Sequence, residues 1–269
     1  MQAVISDAIV VRVVDYGEAD RVATLLTRDA GKVSALARGA RRSRKRYATL
    51  ELFSRGEAKL KEGRGDLWSF ESFDVRRGYP HLGLDVARLA QGAYACELAR
   101  ELLPPHHPEP RVFDLLDAFL THLDAAERLP VAPPLLSIAW LRILELGLLD
   151  AVGLQPALDR CVECARGLDD ESEDEGGDQL DVRRGGILCG RCVSGPGAGR
   201  RPLPARVRRL LALLQRTNLA DAPSLTRPPS PASGTWDAAR DSLQAILLGH
   251  LGRPLRSVEF ISKLNAGCA

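Results

Sequence analysis

Two short cysteine pairs, Cys161-Val162-Glu163-Cys164 and Cys189-Gly190-Arg191-Cys192, constrain what this chain can fold into more than any other feature. A C-x-x-C turn presents two thiolates from one tight loop, and two such turns supply the four soft ligands of a tetrahedral zinc site. Gly190 inside the second pair, with Gly185 and Gly186 before it, gives the backbone freedom to curl around a metal. The 24 residues between the pairs exceed the usual spacing of roughly 15–20. The excess falls in residues 169–178, an acidic run that reads as a solvated loop extension. A thioredoxin-type redox pair occurs singly, at the start of a helix after a strand, and neither pair has that setting. Four thiolates with no catalytic His or Glu beside them make a coordinatively closed, hence structural, zinc module at 161–192. The remaining cysteines are Cys96, on an apolar helical stripe, and Cys268, one residue from the end. Six cysteines in 269 residues are too few for a disulfide scaffold and point to a reducing, cytoplasmic setting.

Ahead of the cysteines the hydrophobic period changes once. Residues 1–80 read as strands: 9–14, with Ile9, Val11 and Val13 on one face and Arg12 on the other, then 22–27 and 32–37. The last two flank a turn in which Gly31 supplies a positive φ. Segments 50–60 and 67–75 follow, separated by the turn-like residues 62–65. Five short strands with short connections suit a small closed barrel of the OB type, although a meander or an SH3-like barrel has the same strand count.

From residue 81 the period is helical. Leu82, Val86, Leu89, Ala93 and Cys96 form one core-facing stripe, and Val112, Leu116, Phe119 and Leu123 a second, with Pro110 placed for the first turn of its helix. Residues 135–149 are apolar on nearly all sides, as in the central helix of a bundle. Between the first two helices, the stiff loop 104–108 holds His106 and His107, which read as solvated rather than metal-binding. The fold class is therefore α+β: an N-terminal five-stranded OB-type β-barrel, residues 1–80, followed by an α-helical domain, residues 81–269, that carries the four-cysteine zinc module.

The formal net charge is only +2, which looks like an argument against a nucleic-acid partner. The charge is segregated, however: +5 over residues 1–80, −5 over 81–158, −8 over 159–182 and +10 over 183–269. Of the basic residues, 32 are Arg and 5 Lys; arginine's planar fork suits phosphate, though a GC-rich genome produces the same bias. The densest basic run is Arg38, Arg41, Arg42, Arg44, Lys45 and Arg46, ending at Tyr47, immediately after the third strand, whose own first residue is Lys32. Like charges crowded on a loop repel one another and favour a phosphate counter-ligand, whose binding releases condensed counterions. Lys32 and these residues are the candidate DNA-binding set. Tyr47, Phe53, Trp68 and Phe70 are candidates for base stacking, with barrel core the alternative for Trp68 and Phe70. Near residue 204, Val207, Leu210, Leu211 and Leu214 share one helical face, and Arg206, Arg208, Arg209 and Arg216, preceded by Arg200 and Arg201, either extend the nucleic-acid surface or are simply solvated.

No phosphate-binding loop, nucleophile elbow, H-E-x-x-H or K-x-D-G motif is present, and the carboxylates gather in the acidic run, so the chain reads as non-enzymatic. No apolar stretch is long enough to span a membrane.

Gly17-Glu18-Ala19-Asp20, Leu25-Leu26-Thr27, Gly31-Lys32 and Ala37-Arg38-Gly39-Ala40-Arg41-Arg42 resemble the start of the RecO family of recombination mediators. Residues 142–147 and 153–164 resemble that family's approach to its zinc site, and Leu255-Arg256-Ser257 with Phe260 its C-terminal helix. The resemblance covers essentially the whole chain and keeps the order of parts. It implies binding of single- and double-stranded DNA, annealing of complementary strands, and help to RecA in replacing single-strand binding protein, with RecR and the acidic tail of single-strand binding protein as partners. Carried over by position, Cys161, Cys164, Cys189 and Cys192 hold zinc, and Arg38, Arg41 and Arg42 face DNA. The alternatives are an RNA-binding accessory factor with the same barrel and zinc, and a fragment-like relative of a DNA ligase.

Overall fold

A computed structural model describes residues 3–43, 50–63, 65–125, 133–168, 177–195, 197–226 and 230–267, with side chains left undescribed at 133–137 and 262–267. The described chain divides into two compact units, residues 1–129 with 255–269, and residues 130–254.

The first unit is built on a closed barrel of β1 (Ala3–Tyr16), β2 (Asp20–Thr27), β3 (Gly31–Ala37), β4 (Arg55–Lys61) and β5 (Leu67–Arg77). The strand order around it is β1-β2-β3-β5-β4, with β4 pairing back to β1. All pairs are antiparallel except β3 with β5, the arrangement of an OB barrel. Val10, Leu25, Val33, Leu60, Trp68, Phe70 and Phe73 fill its core. Trp68 and Phe70 are thus internal, and Phe53 is buried as well.

The alternation expected for the first strand breaks at one point. Val10 faces Leu25 and Arg12 faces Thr24, so Val11 is an extra residue in a β-bulge. The bulge shifts the phase by one: Val13 joins Ala8 and Val10 at the barrel core, whereas Arg12, Val14 and Tyr16 face outward and are exposed. Ile9 and Val11 are nonetheless buried, because a helix packs over β1. The expected strand 50–60 begins only at Arg55. Phe53 takes a positive φ of 71°, which interrupts the strand. A Cβ on Gly92 would lie 3.1 Å from the end of the Phe53 ring.

The helices of this unit are α1 (Val86–Leu102), α2 (Pro110–Ala125) and α7 (Arg256–Gly267), with α2 and α7 packed against α1. The α2 stripe is as expected: Val112, Leu116, Phe119 and Leu123 are buried, and Pro110 opens the helix. The α1 stripe is not. Leu82 and Cys96 are buried, but Val86 is 55% and Leu89 38% exposed. Leu82 sits in a 3-10 turn, Leu82–Leu84, and Asp85 caps a new helix by accepting the amide of Arg88. The helical phase therefore restarts at residue 86, and Ala90, Tyr94, Leu98 and Ala99 form the buried face with Cys96. The loop 104–108 is attached to the barrel: the amide of His106 donates to Lys32 O at 3.0 Å, and its imidazole stacks on Trp68 with ring centres 5.2 Å apart.

The second unit holds α3 (Pro133–Ala151), α4 (Ala205–Gln215), α5 (Ala222–Leu225), α6 (Ser233–Leu251) and a small sheet of β6 (Ala157–Cys161), β7 (Gln179–Asp181), β8 (Gly186–Leu188) and β9 (Arg200–Pro202). The sheet order is β6-β8-β7-β9. Helix α3 buries an ion pair within its apolar surface, Arg142 to Glu145 at 3.0 Å. No helix among the described residues is long and apolar enough to cross a membrane.

Candidate metal centre and nucleic-acid interface

The small sheet brings the two cysteine pairs together. Strand β6 ends in Cys161, and β8 runs parallel beside it and is followed by Cys189. That pairing demands a residue without a side chain at 186: a Cβ on Gly186 would lie 2.5 Å from Val162 and 2.8 Å from the carbonyl of Ala157. The first knuckle is closed by the amide of Ala165 on Cys161 O at 2.9 Å, and the second by the amide of Cys192 on Cys189 O at 2.8 Å. As a result the four sulfurs of Cys161, Cys164, Cys189 and Cys192 lie within 4.8 Å of one another. Leu188, Val162, Leu168 and Val193 surround them.

The donors fit zinc. Four sulfurs about 2.3 Å from a tetrahedral ion are about 3.8 Å apart, and the sulfurs of Cys164 and Cys189 are separated by 3.8 Å. Burial works to raise the Cys161 thiol. It is outweighed by the backbone N–H groups of Cys189, Cys164 and Glu163 aimed at the sulfur, which bring the thiol down to about 6. Cys192 is pushed up to about 12 by the adjacent thiols of Cys164 and Cys189. Four thiolates this close repel one another unless a cation sits among them, which is the chemistry of a closed structural site.

A buried arginine secures the first knuckle. Arg208 of α4, whose helical position suggested a solvated or DNA-facing surface, is 3% exposed. Its guanidinium donates to the carbonyls of Leu168 at 3.1 Å and Leu158 at 3.4 Å, residues that bracket Cys161 and Cys164. Arg200 pairs with Asp181 at 3.3 Å. Arg201, Arg206 and Arg216 are exposed.

On the barrel, the basic run opens as a turn folded onto the β1–β2 connection. The amide of Gly39 donates to Asp20 at 2.8 Å, and the amide of Arg41 to Ala19 O at 3.0 Å. The Arg41 guanidinium donates to Gly17 O at 3.0 Å and lies 3.4 Å from Asp15. Arg41 therefore staples the turn, while Arg38 and Arg42 stand exposed on it. Lys32 is placed apart from them: its ammonium donates to Arg100 O, at the end of α1, at 2.6 Å, and burial lowers its pKa. Arg44, Lys45, Arg46 and Tyr47 lie outside the described residues, as does most of the acidic run, 169–176. The sequence pattern sets Arg12 opposite Ile9, Val11 and Val13, and the structure continues that exposed face to Val14 and Tyr16, which sequence reasoning missed although their two-residue spacing was the available signal.

Comparison with known proteins agrees with this arrangement along nearly the whole chain. Residues 1–79 match the family model described as Recombination protein O N terminal, and residues 83–259 the one described as Recombination protein O C terminal. A protein of Anaeromyxobacter dehalogenans (strain 2CP-C) named DNA repair protein RecO is 44% identical over 260 residues, covering 96% of this chain and 95% of the relative. Proteins of the same name from Myxococcus xanthus and Geobacter sulfurreducens are 36% and 34% identical, covering 96% and 98% of this chain and 97% and 100% of the relatives. With a closed OB-type barrel, a helical part and a four-cysteine cluster in that order, and with these matches over nearly its whole length, the chain belongs to the recombination protein O (RecO) family.

Proposed function

We propose that this protein is a non-catalytic recombination mediator in DNA repair, acting in the cytoplasm on the nucleoid. Residues 1–80 form its nucleic-acid-binding domain, and residues 81–269 a helical domain whose cysteines hold a structural zinc ion. The barrel binds single- and double-stranded DNA through the basic segment that follows β3. Partial neutralisation of phosphates by its arginines lowers the repulsion between complementary strands and so promotes annealing. With RecR, and through the acidic tail of single-strand binding protein, the chain helps RecA take over coated single strands.

The observation that carries this reading is the turn after β3, on which Arg38 and Arg42 are exposed while Asp20 and the β1–β2 connection fix its backbone. Net charge of +2 does not hold a protein on DNA; a fixed local patch does. The test is annealing of complementary strands precoated with the cognate single-strand binding protein. Annealing faster than the spontaneous rate, and RecA loading that depends on added RecR, are expected. No acceleration, or stronger binding to RNA than to DNA of equal length, rejects the mediator role.

A further inference from the structure

The DNA-binding reading gives the barrel no means of telling an open strand from a duplex. Electrostatic attraction alone does not favour it, since a duplex carries the denser phosphate charge. Selectivity for an open strand comes from bases that can be unstacked and laid on an aromatic face. Of the sequence candidates for that role, Phe53, Trp68 and Phe70 are buried, and Tyr47 is outside the described residues.

Among the described barrel strands one aromatic side chain is presented to solvent. Tyr16, the last residue of β1, is 58% exposed. The bulge at Val11 puts it on the same outward face as Arg12 and Val14. Across the ladder Val14 faces Val22, which in turn faces Leu36 of β3, so the ring stands at the edge of a shallow apolar strip. Tyr16 itself is paired with Asp20, the residue whose carboxylate anchors Gly39 between Arg38 and the following turn. The aromatic ring is thus flanked by Arg12 along its own strand and by the Arg38–Arg42 turn across the sheet. Asp15, the nearest acid on the chain, is paired with Arg21 and Arg41.

We propose that Tyr16 is a stacking platform for one unpaired base of single-stranded DNA, with Arg12 and Arg38 holding the phosphates on either side, and that it adds affinity for open strands that a duplex does not receive. The assignment rests on the DNA-binding reading above.

The test compares Tyr16→Ala and Tyr16→Phe with the unaltered protein on three ligands of equal length: a single-stranded oligonucleotide, its duplex, and an abasic strand that keeps every phosphate but lacks bases. Because the side chain is exposed, neither substitution disturbs folding. Tyr16→Ala is expected to lose about tenfold in affinity for the single strand, with duplex and abasic binding and the salt dependence unchanged; Tyr16→Phe retains binding. Equal loss on all three ligands, or no loss on the single strand, overturns the assignment. A second variant, Tyr16→Trp, gives a direct signal, since Trp68, Trp140 and Trp236 are buried. Its added fluorescence is expected to be quenched by the single strand and not by the abasic one; equal quenching by both overturns the stacking role. An unaltered protein that binds none of the three ligands rejects DNA binding itself, an outcome distinct from failure of the variants alone.

Discussion

The carboxylate of Glu97 on α1 accepts both the backbone amide of Ser257, at 2.9 Å, and its hydroxyl, at 2.5 Å. It also accepts the amide of Arg256 at 3.1 Å. One buried side chain therefore caps the start of α7 and fixes the returning C-terminal segment to the first unit. Burial alone would raise the carboxyl's pKa, but the Ser257 hydroxyl and amide, the Arg256 amide and Arg100 outweigh it and lower it. A depressed folded pKa gives stability that is whole above the ordinary glutamate value of about 4.3 and is lost as pH falls through the lower folded value. Glu97→Gln is expected to lower stability by about 1–3 kcal/mol at neutral pH. In denaturant titrations at stepped pH the gap to the unaltered protein should close on the acid side. A gap independent of pH would show that the charge is not what holds α7.

Gly31 answers to two constraints, of which only the first is visible in sequence. Its φ is +69°, as the β2–β3 turn requires, and a Cβ there would also lie 2.3 Å from the carbonyl oxygen of His107. Gly31→Ala must both strain the turn, by about 1–2 kcal/mol, and push loop 104–108 off β3. The expected result is a destabilisation greater than the turn strain alone supplies, with release of the His106–Trp68 stack visible in tryptophan fluorescence. A destabilisation confined to the turn strain, with fluorescence unchanged, would mean that the loop simply shifts.

The barrel is legible in sequence because strand periodicity and turn residues are local, and the cysteine pairs because their spacing is itself the chemistry. What escapes is set by single-residue phase changes and by long-range partners. The extra residue at Val11 shifts the phase of β1, so Val13 shares the core with Ala8 and Val10 where plain alternation groups it with Ile9 and Val11. The 3-10 turn before Asp85 resets the α1 stripe. Strands β7, β8 and β9 have three residues each, too short for any alternation to register. Arg208 resembles any arginine on an amphipathic helix because the carbonyls it serves are 40 and 50 residues away in sequence.

Arg208 is expected to matter to the metal rather than to DNA. Arg208→Met keeps the apolar stem and removes the bonds to Leu158 and Leu168, costing about 1.5–3 kcal/mol for hydrogen bonds from a charged donor. The protein should still be purified with near-stoichiometric zinc but release it faster to a chromogenic chelator, with duplex and single-strand affinity unchanged. Release at the unaltered rate would show that the first knuckle does not depend on α4. Removal of zinc altogether, or Cys161→Ser, is expected to unfold the β6–β9 sheet, since in structural sites metal binding and folding are one equilibrium. Elemental analysis finding no zinc in carefully prepared protein rejects the metal.

Arg41 and its neighbours separate two roles inside one basic turn. Arg41 is bound to Gly17 O and Asp15, whereas Arg38 and Arg42 point into solvent on the same turn. Arg38→Ala combined with Arg42→Ala is therefore expected to weaken single-strand binding and to reduce the slope of log affinity against log salt by roughly 0.7 for each phosphate no longer neutralised, with thermal stability unchanged. Arg41→Ala should do the reverse: its partners are surface groups, so the protein is destabilised by less than about 1 kcal/mol, and the salt slope changes less than in the double variant. Affinity measured across a salt series distinguishes the two, because a bond to phosphate enters the slope and a bond to the protein's own carbonyl does not. An unchanged slope in the double variant would place the phosphates elsewhere on the chain.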